Sequence, residues 1–292
     1  MDIFDEFVIV NEKSFTDLLT PDARTRQENN KVKFSDVTQF AALEFKIDCY
    51  DNTLDIKDIG HFSEPNLPLA QIIRWEWAEK GKFETQILTM GGNVRFNRLN
   101  NLCSIVIRIL EKKDKSAENP FQSLISPDDE FMVEIGDKKV TLSAARLRFF
   151  SPVIDRMLSV EMREKQQRSV TLNELGIDMD QFLDFLLYIS PNALHEIILP
   201  NPQNVLSLLS LANYFQIDWL KSRCEAHLFN CMEIPLIDRV NLIEKYQLKH
   251  LKNFILRLDV LNLRAFFKEN HGHLKTTISE EFYGELVERI CS

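Results

Sequence analysis

The spacing of apolar residues changes once along this chain, and that change constrains its fold more than any single motif. Between residues 31 and 110 apolar and polar residues alternate, most clearly at 43–49 and 73–78, which is the pattern of half-buried strands. After residue 143 apolar residues recur three and four positions apart, as in amphipathic helices. The sequence therefore predicts an α+β protein with more than one domain.

Five segments follow from these patterns. Residues 1–30 are a mixed N-terminal segment, and the short strands and turns of residues 31–111 predict an antiparallel β-sandwich. Residues 112–125 lie in a charged linker, and residues 126–230 combine strand and helix patterns in an α/β domain. Residues 231–292 contain only short amphipathic helices, which need a surface against which to bury their apolar stripes. We expect the preceding domain to provide that surface.

The α/β domain carries the clearest local signals. Gly136-Asp137-Lys138-Lys139 lies between two short apolar runs and predicts a β-hairpin. Ser143 is a predicted helix N-cap, and Ser151 followed by Pro152 is the combination typical of a helix start. Four further residues are predicted N-caps of later helices: Asp178, Asn201, Asp218 and Ser279.

Charge and cysteine content limit the classes of partner. The chain has 35 basic and 44 acidic residues, a formal net charge of −9, so we expect neither nucleic acid nor an anionic membrane surface as a partner. The acidic N-terminus and the lack of an apolar run of about 18 residues predict no signal peptide and no membrane span. The five cysteines are scattered, which predicts reduced thiols in an intracellular protein, cytoplasmic or nuclear.

No catalytic or cofactor motif is apparent. The sequence has 8 glycines and neither a glycine-rich phosphate loop nor a nucleophile-elbow motif. We therefore predict no enzymatic activity, no cofactor and no metal. His271 and His273 are the closest histidine pair and are interpreted either as two metal ligands or as a solvated loop.

Two other pairs have competing interpretations. Cys224 and Cys231 are small core residues or, with a histidine placed beside one of them, a nucleophile. Trp75 and Trp77 form an aromatic recognition shelf or point together into the sandwich core. The period-two spacing of the tryptophans favours the core.

Residues 131–228 resemble the BTB (POZ) domain. The hairpin reads Phe131-x-Val133-x-Ile135-Gly136-x-Lys138-x-Val140, and residues 147–158 match the two-helix core, with Ser151-Pro152-Val153-Ile154 in place of Ser-Pro-Tyr-Phe. The late helices read Asn204-Val205-Leu206-x-Leu208-Leu209-x-Leu211-Ala212-x-x-Phe215 and Lys221-x-x-Cys224-Glu225-x-x-Leu228. The order of β-rich segment, BTB-like segment and short helices is similar to MATH–BTB adaptors with a BACK-like extension.

The resemblance implies a protein-interaction adaptor that recognises substrates for a cullin-RING ubiquitin ligase. The β-sandwich would bind the protein substrate, and Leu158, Met162 and Glu164 would bind the cullin, Met162-Arg163-Glu164 matching the family's hydrophobic-x-Glu motif. Alternatively, Met162 ends a helix and Glu164 is solvated.

A homodimer is also implied by the resemblance. Its interface would include Glu130, Phe131, Leu147 and Phe150. Two departures bear on this interface: Ser143-Ala144 stands where many members have His-Lys, and Glu130 stands where Asp is common. A homodimeric BTB scaffold without ligase function is the alternative reading.

Overall fold

The computed structural model describes residues 2–15, 30–33, 42–48, 53–58, 67–76, 82–97, 103–113, 121–122, 125–160, 166–190 and 198–291. The chain forms two compact units. One, here the β/helical unit, joins Met1–Lys112 with Phe229–Ser292, and the other, the central unit, is Lys113–Leu228.

Two four-stranded antiparallel sheets make up the N-terminal part of the β/helical unit. The first sheet has the order β1 (Phe7–Phe15), β8 (Cys103–Lys112), β5 (Pro68–Glu76) and β6 (Phe83–Thr89). The second has the order β2 (Asn30–Lys33), β3 (Ala42–Asp48), β4 (Thr53–Asp58) and β7 (Asn93–Phe96). The first sheet thus includes a strand from the segment 1–30, because β1 pairs with residues 105–112 of β8.

A shared apolar core lies between the two sheets. Strand β8 alternates, with Ile105, Ile107 and Ile109 buried in this core beside Leu54 and Ile56 of β4. The period-two pattern that predicted the strands is therefore the pattern of side chains facing this core. Strand β4 was not predicted, although Thr53–Asp58 alternates in the same way.

The tryptophan prediction is corrected by the strand faces. Trp75 is buried, but it packs with Ile73 and Val106 on the face of the first sheet that points away from the shared core. Neighbouring residues of a strand point to opposite faces, and Ile72 occupies the core. Trp77 lies outside the described residues.

The central unit is built on a three-stranded sheet with the order β10-β9-β11. Strands β9 (Glu130–Ile135) and β10 (Lys138–Ser143) form the predicted antiparallel hairpin, with Gly136 at a φ of 61° in its turn. Strand β11 (Ser169–Thr171) pairs with β9 in parallel. The helices of the central unit are α1 (Ala144–Phe150), α2 (Pro152–Ser159), α3 (Met179–Tyr188), α4 (Val205–Tyr214) and α5 (Asp218–Asn230). Helix α5 extends two residues past the end of the unit.

Side-chain caps set most of these helix starts. Ser143, Ser151 and Asp178 each accept a hydrogen bond from the backbone N–H three residues later, as predicted. Asn201 does not cap α4. Its Oδ1 accepts from the N–H groups of Gln203 and Asn204 at 2.9 and 3.1 Å, which forms a turn directly before the helix begins at Val205.

Four helices follow in the β/helical unit: α6 (Leu236–Tyr246), α7 (Lys249–Leu256), α8 (Val260–Thr277) and α9 (Glu280–Cys291). Ser279 caps α9 as predicted, accepting from the Phe282 N–H. These helices group with the N-terminal sheets rather than with the domain that precedes them in sequence. None of the helices in the described ranges is long and apolar enough to cross a membrane.

Candidate protein-interaction surface

The junction of α1 and α2 in the central unit is fixed by one serine. The Ser151 hydroxyl accepts from the Ile154 N–H at 3.2 Å and donates to the Phe215 carbonyl at 3.0 Å. Ser151 is buried, so its two bonds replace solvent at the start of α2 and at the end of α4. The Ser-Pro pair therefore positions α2 against the helical core as well as starting it.

A buried carboxylate holds the start of α1. Asp129 Oδ2 accepts from the Ser143 hydroxyl at 2.5 Å and from the Ile125 N–H, and Oδ1 accepts from the Ala145 N–H at 2.7 Å. Burial by itself raises the pKa of Asp129, but these three hydrogen bonds and the charge of Arg146 together outweigh it and hold the pKa below its ordinary value. Sequence reasoning missed this network because Asp129 stands 14 residues from its serine partner.

Apolar side chains are exposed at the ends of the two helices that these networks position. Phe149 of α1 is 81% exposed, and Val160, the residue after α2, is 48% exposed. The Phe149 ring makes an edge contact with Phe150, which in turn contacts Phe121. Burying either exposed side chain against another protein would remove apolar area from water and stabilise the complex. The surface of α1 and α2, with Phe149 and Val160, is therefore the candidate interaction surface.

Comparison with protein families agrees with this geometry. The family model of the BTB/POZ domain matches residues 121–231. The central unit is a BTB/POZ domain. Such domains mediate protein–protein interaction and dimerisation, which indicates that the chain acts as a protein-interaction adaptor. No curated protein matches the chain.

Of the predicted cullin-binding residues, the structure describes Leu158. Leu158 is half-buried on the last turn of α2, two residues before the exposed Val160. Met162 and Glu164 lie outside the described residues, in the segment that follows.

The predicted dimer residues separate into two groups. Glu130 is exposed and Phe150 is half-buried, so both can reach another molecule. Phe131 and Leu147 are buried within the domain. Phe149, which was not predicted, is the most exposed aromatic residue on α1.

A polar network links α3 to α4 in the BTB interior. The Asn204 amide donates to Asp184 Oδ2 at 2.8 Å and to the Tyr188 hydroxyl at 2.9 Å, and that hydroxyl donates to the Leu199 carbonyl. Burial raises the pKa of Asp184, and the Asn204 bond and the charge of Lys113 offset the effect only in part. Burial likewise raises the pKa of Tyr188, with Asp184 contributing in the same direction. Tyr188 is thus a neutral structural group.

The cysteine and histidine pairs lie in surroundings typical of structural residues. Cys224 and Cys231 are free and buried, and burial raises the pKa of both thiols, that of Cys231 to about 12, which suppresses the reactive thiolate. His271 and His273 lie on α8 rather than in a loop. Residues two apart on a helix point to different sides. Within the described ranges, no three His, Cys, Asp or Glu side chains are grouped as a metal site would need.

Proposed function

We propose that this chain is a substrate adaptor of a cullin-RING ubiquitin ligase, with a BTB domain that binds the cullin and a β/helical unit that binds the protein substrate. The supporting observation is the apolar end of α2. Half-buried Leu158 and exposed Val160 stand four and two residues before Met162 of the sequence Met162-Arg163-Glu164. On this proposal the chain is not an enzyme, it works in the cytoplasm or nucleus, and its sheets are of the MATH type.

The residue types suit the proposed contact. A methionine side chain is flexible and polarisable and fits irregular apolar pockets. Leu158 and Val160 extend the apolar contact toward α2, and Glu164 supplies a charged hydrogen-bond acceptor that fixes orientation. Interfaces of this kind concentrate affinity in a few buried anchors, so we expect Met162 to contribute most.

The test is titration of the full chain with purified cullin N-terminal domains. Met162→Ala should weaken binding by about tenfold or more, because a truncated anchor typically costs on the order of 2 kcal/mol. Glu164→Ala should weaken binding less. Met132→Ala and Glu174→Ala are matched controls, since both side chains are exposed elsewhere on the same domain. Affinities of the Met162 and Glu164 variants equal to those of the controls would refute the assignment of these residues.

A second candidate function, a homodimeric scaffold without ligase activity, is favoured by Phe149. An 81% exposed phenylalanine on a helix whose start is capped by Ser143 is suited to an interface between two copies. Phe149→Glu should shift the chain from dimer to monomer in analytical ultracentrifugation. Leu187→Glu, at an exposed leucine of α3, is the control and should leave the mass unchanged. A stable dimer that binds no cullin would support the scaffold over the adaptor.

A further inference from the structure

The β/helical unit contains a fully buried arginine that the proposed function does not use. Arg108 lies in the middle of β8 with a side chain that is 0% exposed. It points away from the shared core of the sheets, since its neighbours Ile107 and Ile109 fill that core. Burying a guanidinium is costly unless carboxylates and hydrogen bonds compensate it.

The first sheet provides half of that compensation. Glu12 of β1 and Gln71 of β5 stand directly opposite Arg108 in the strand register. Arg108 Nε donates to Glu12 Oε2 at 2.8 Å, and Nη1 donates to Gln71 Oε1 at 3.0 Å. The three side chains therefore form a polar row across the sheet.

The C-terminal segment provides the other half. Arg108 Nη1 and Nη2 donate to the two oxygens of Glu233 at 2.6 and 3.2 Å, and Nη2 also donates to the Asn230 carbonyl. The Asn230 amide donates to Glu12 at 3.2 Å. Planar two-point contacts of this kind are the strongest that arginine makes with a carboxylate. Residues 230–233 thus close a polar network that β1, β5 and β8 leave incomplete.

An apolar contact also joins the C-terminal segment to the first sheet. Met232 packs against Ile73, Trp75 and Val106, on the same outer face of the first sheet as Arg108. Burial disfavours the charge of Arg108, but Glu12 and Glu233 outweigh it and hold its pKa above the ordinary value. The cation therefore stays charged, and its compensation depends on a residue 125 positions along the chain.

We propose that the N-terminal sheets and residues 229–292 unfold and refold as one cooperative domain, and that the BTB domain is an insertion within it. The ion pair between Arg108 and Glu233 stabilises the contact between the two halves of this cooperative domain. On this inference the C-terminal helices belong to the β/helical unit, to which the proposed function assigns substrate binding, and are not an extension of the BTB domain. The N-terminal sheets reach their full stability only after the chain beyond the BTB domain has been made and has docked on them.

The test is amide hydrogen exchange, read by mass spectrometry, on the full chain carrying Glu233→Gln. Glu281→Gln is the matched control, because Glu281 is exposed on α9. Removing one partner of a buried pair is strongly destabilising, and Glu233 is partly exposed, so we expect slow amides to exchange about tenfold faster or more. The acceleration should be equal in β1, β5 and β8 and in α6–α9, and the slow amides of the BTB domain should be unchanged.

Three results would overturn the proposal. Faster exchange confined to α6–α9 would make the helices a separate appendage. Equal acceleration in the BTB domain would show that the whole chain unfolds as one unit. No acceleration anywhere would show that the Arg108–Glu233 ion pair does not couple the two halves.

A second variant guards against loss of folding. Arg108→Met combined with Glu12→Gln and Glu233→Gln removes the cation together with both of its carboxylate partners, so no buried charge is left without a partner. This triple variant should regain protection in both halves relative to Glu233→Gln alone. Failure to regain it would show that the charge of Arg108 does not carry the coupling.

Discussion

Replacing Ser151 by alanine tests the physical basis of the BTB helical core. The change removes the cap of α2, which is worth about 1 kcal/mol. It also removes the donor to the buried end of α4, and leaving the Phe215 carbonyl without that bond costs about 1–3 kcal/mol. We therefore expect Ser151→Ala to destabilise the BTB domain by roughly 2–4 kcal/mol.

The assay must report on this domain alone. Tryptophan fluorescence would report on both units, because Trp75 lies in one and Trp219 in the other. Amide exchange of α2 and α4 in the full chain meets that need. A loss of 2–4 kcal/mol corresponds to exchange that is faster by roughly 30-fold to 1000-fold. Ser126→Ala is the matched control, since the Ser126 side chain makes no capping hydrogen bond.

The two bonds of Ser151 can be separated by a second substitution. Ser151→Asp keeps an acceptor for the Ile154 N–H but presents a carboxylate to the Phe215 carbonyl, so it should be at least as destabilising as alanine. Full stability of Ser151→Asp would show that the bond to Phe215 contributes nothing. An exchange ratio between Ser151→Ala and Ser126→Ala below about threefold would refute the reasoning as a whole.

Two further predictions concern buried groups. Burial raises the pKa of Asp184 in the folded chain, so folding favours its protonated form and stability falls as the pH rises above the ordinary carboxyl range near 4. Asp184→Asn should therefore raise the urea midpoint of unfolding at pH 7 but not at pH 3. A lower midpoint for this variant at pH 7 would contradict the prediction. Iodoacetamide should modify exposed Cys291 in the native chain, whereas buried Cys224 and Cys231 should react only after unfolding; peptide mass mapping checks this, and rapid native labelling of Cys224 would show that its helix opens readily.

Prediction from sequence succeeded where the determining contacts are local. The caps at Ser143, Ser151 and Asp178 each join atoms three residues apart, so the residue types announce them. The hairpin at Gly136 is equally local, because a two-residue turn fixes the pairing of the strands beside it. Strands β3 and β5 followed from period-two alternation, which reflects the two faces of a strand, whereas β4 alternates in the same way and was not predicted.

The candidate surface was only partly predictable. Leu158 and Glu130 lie on the surface or close to it, but Phe131 and Leu147 are core residues. Helical spacing identifies the apolar face of a helix without stating which apolar residue remains outside it. Phe149 was missed for this reason, because adjacent Phe149 and Phe150 read alike in sequence and differ only in packing.

The sequence by itself determined the BTB/POZ domain, its hairpin and its capped helices, since these rest on contacts between near neighbours. Only the tertiary structure placed β1 in the first sheet, and only it joined the C-terminal helices to those sheets. The physical reason lies in Arg108. Its carboxylate partners are 96 and 125 residues away, so in sequence it is an ordinary charge in a strand, and its burial becomes favourable only once Glu12 and Glu233 have been brought together around it.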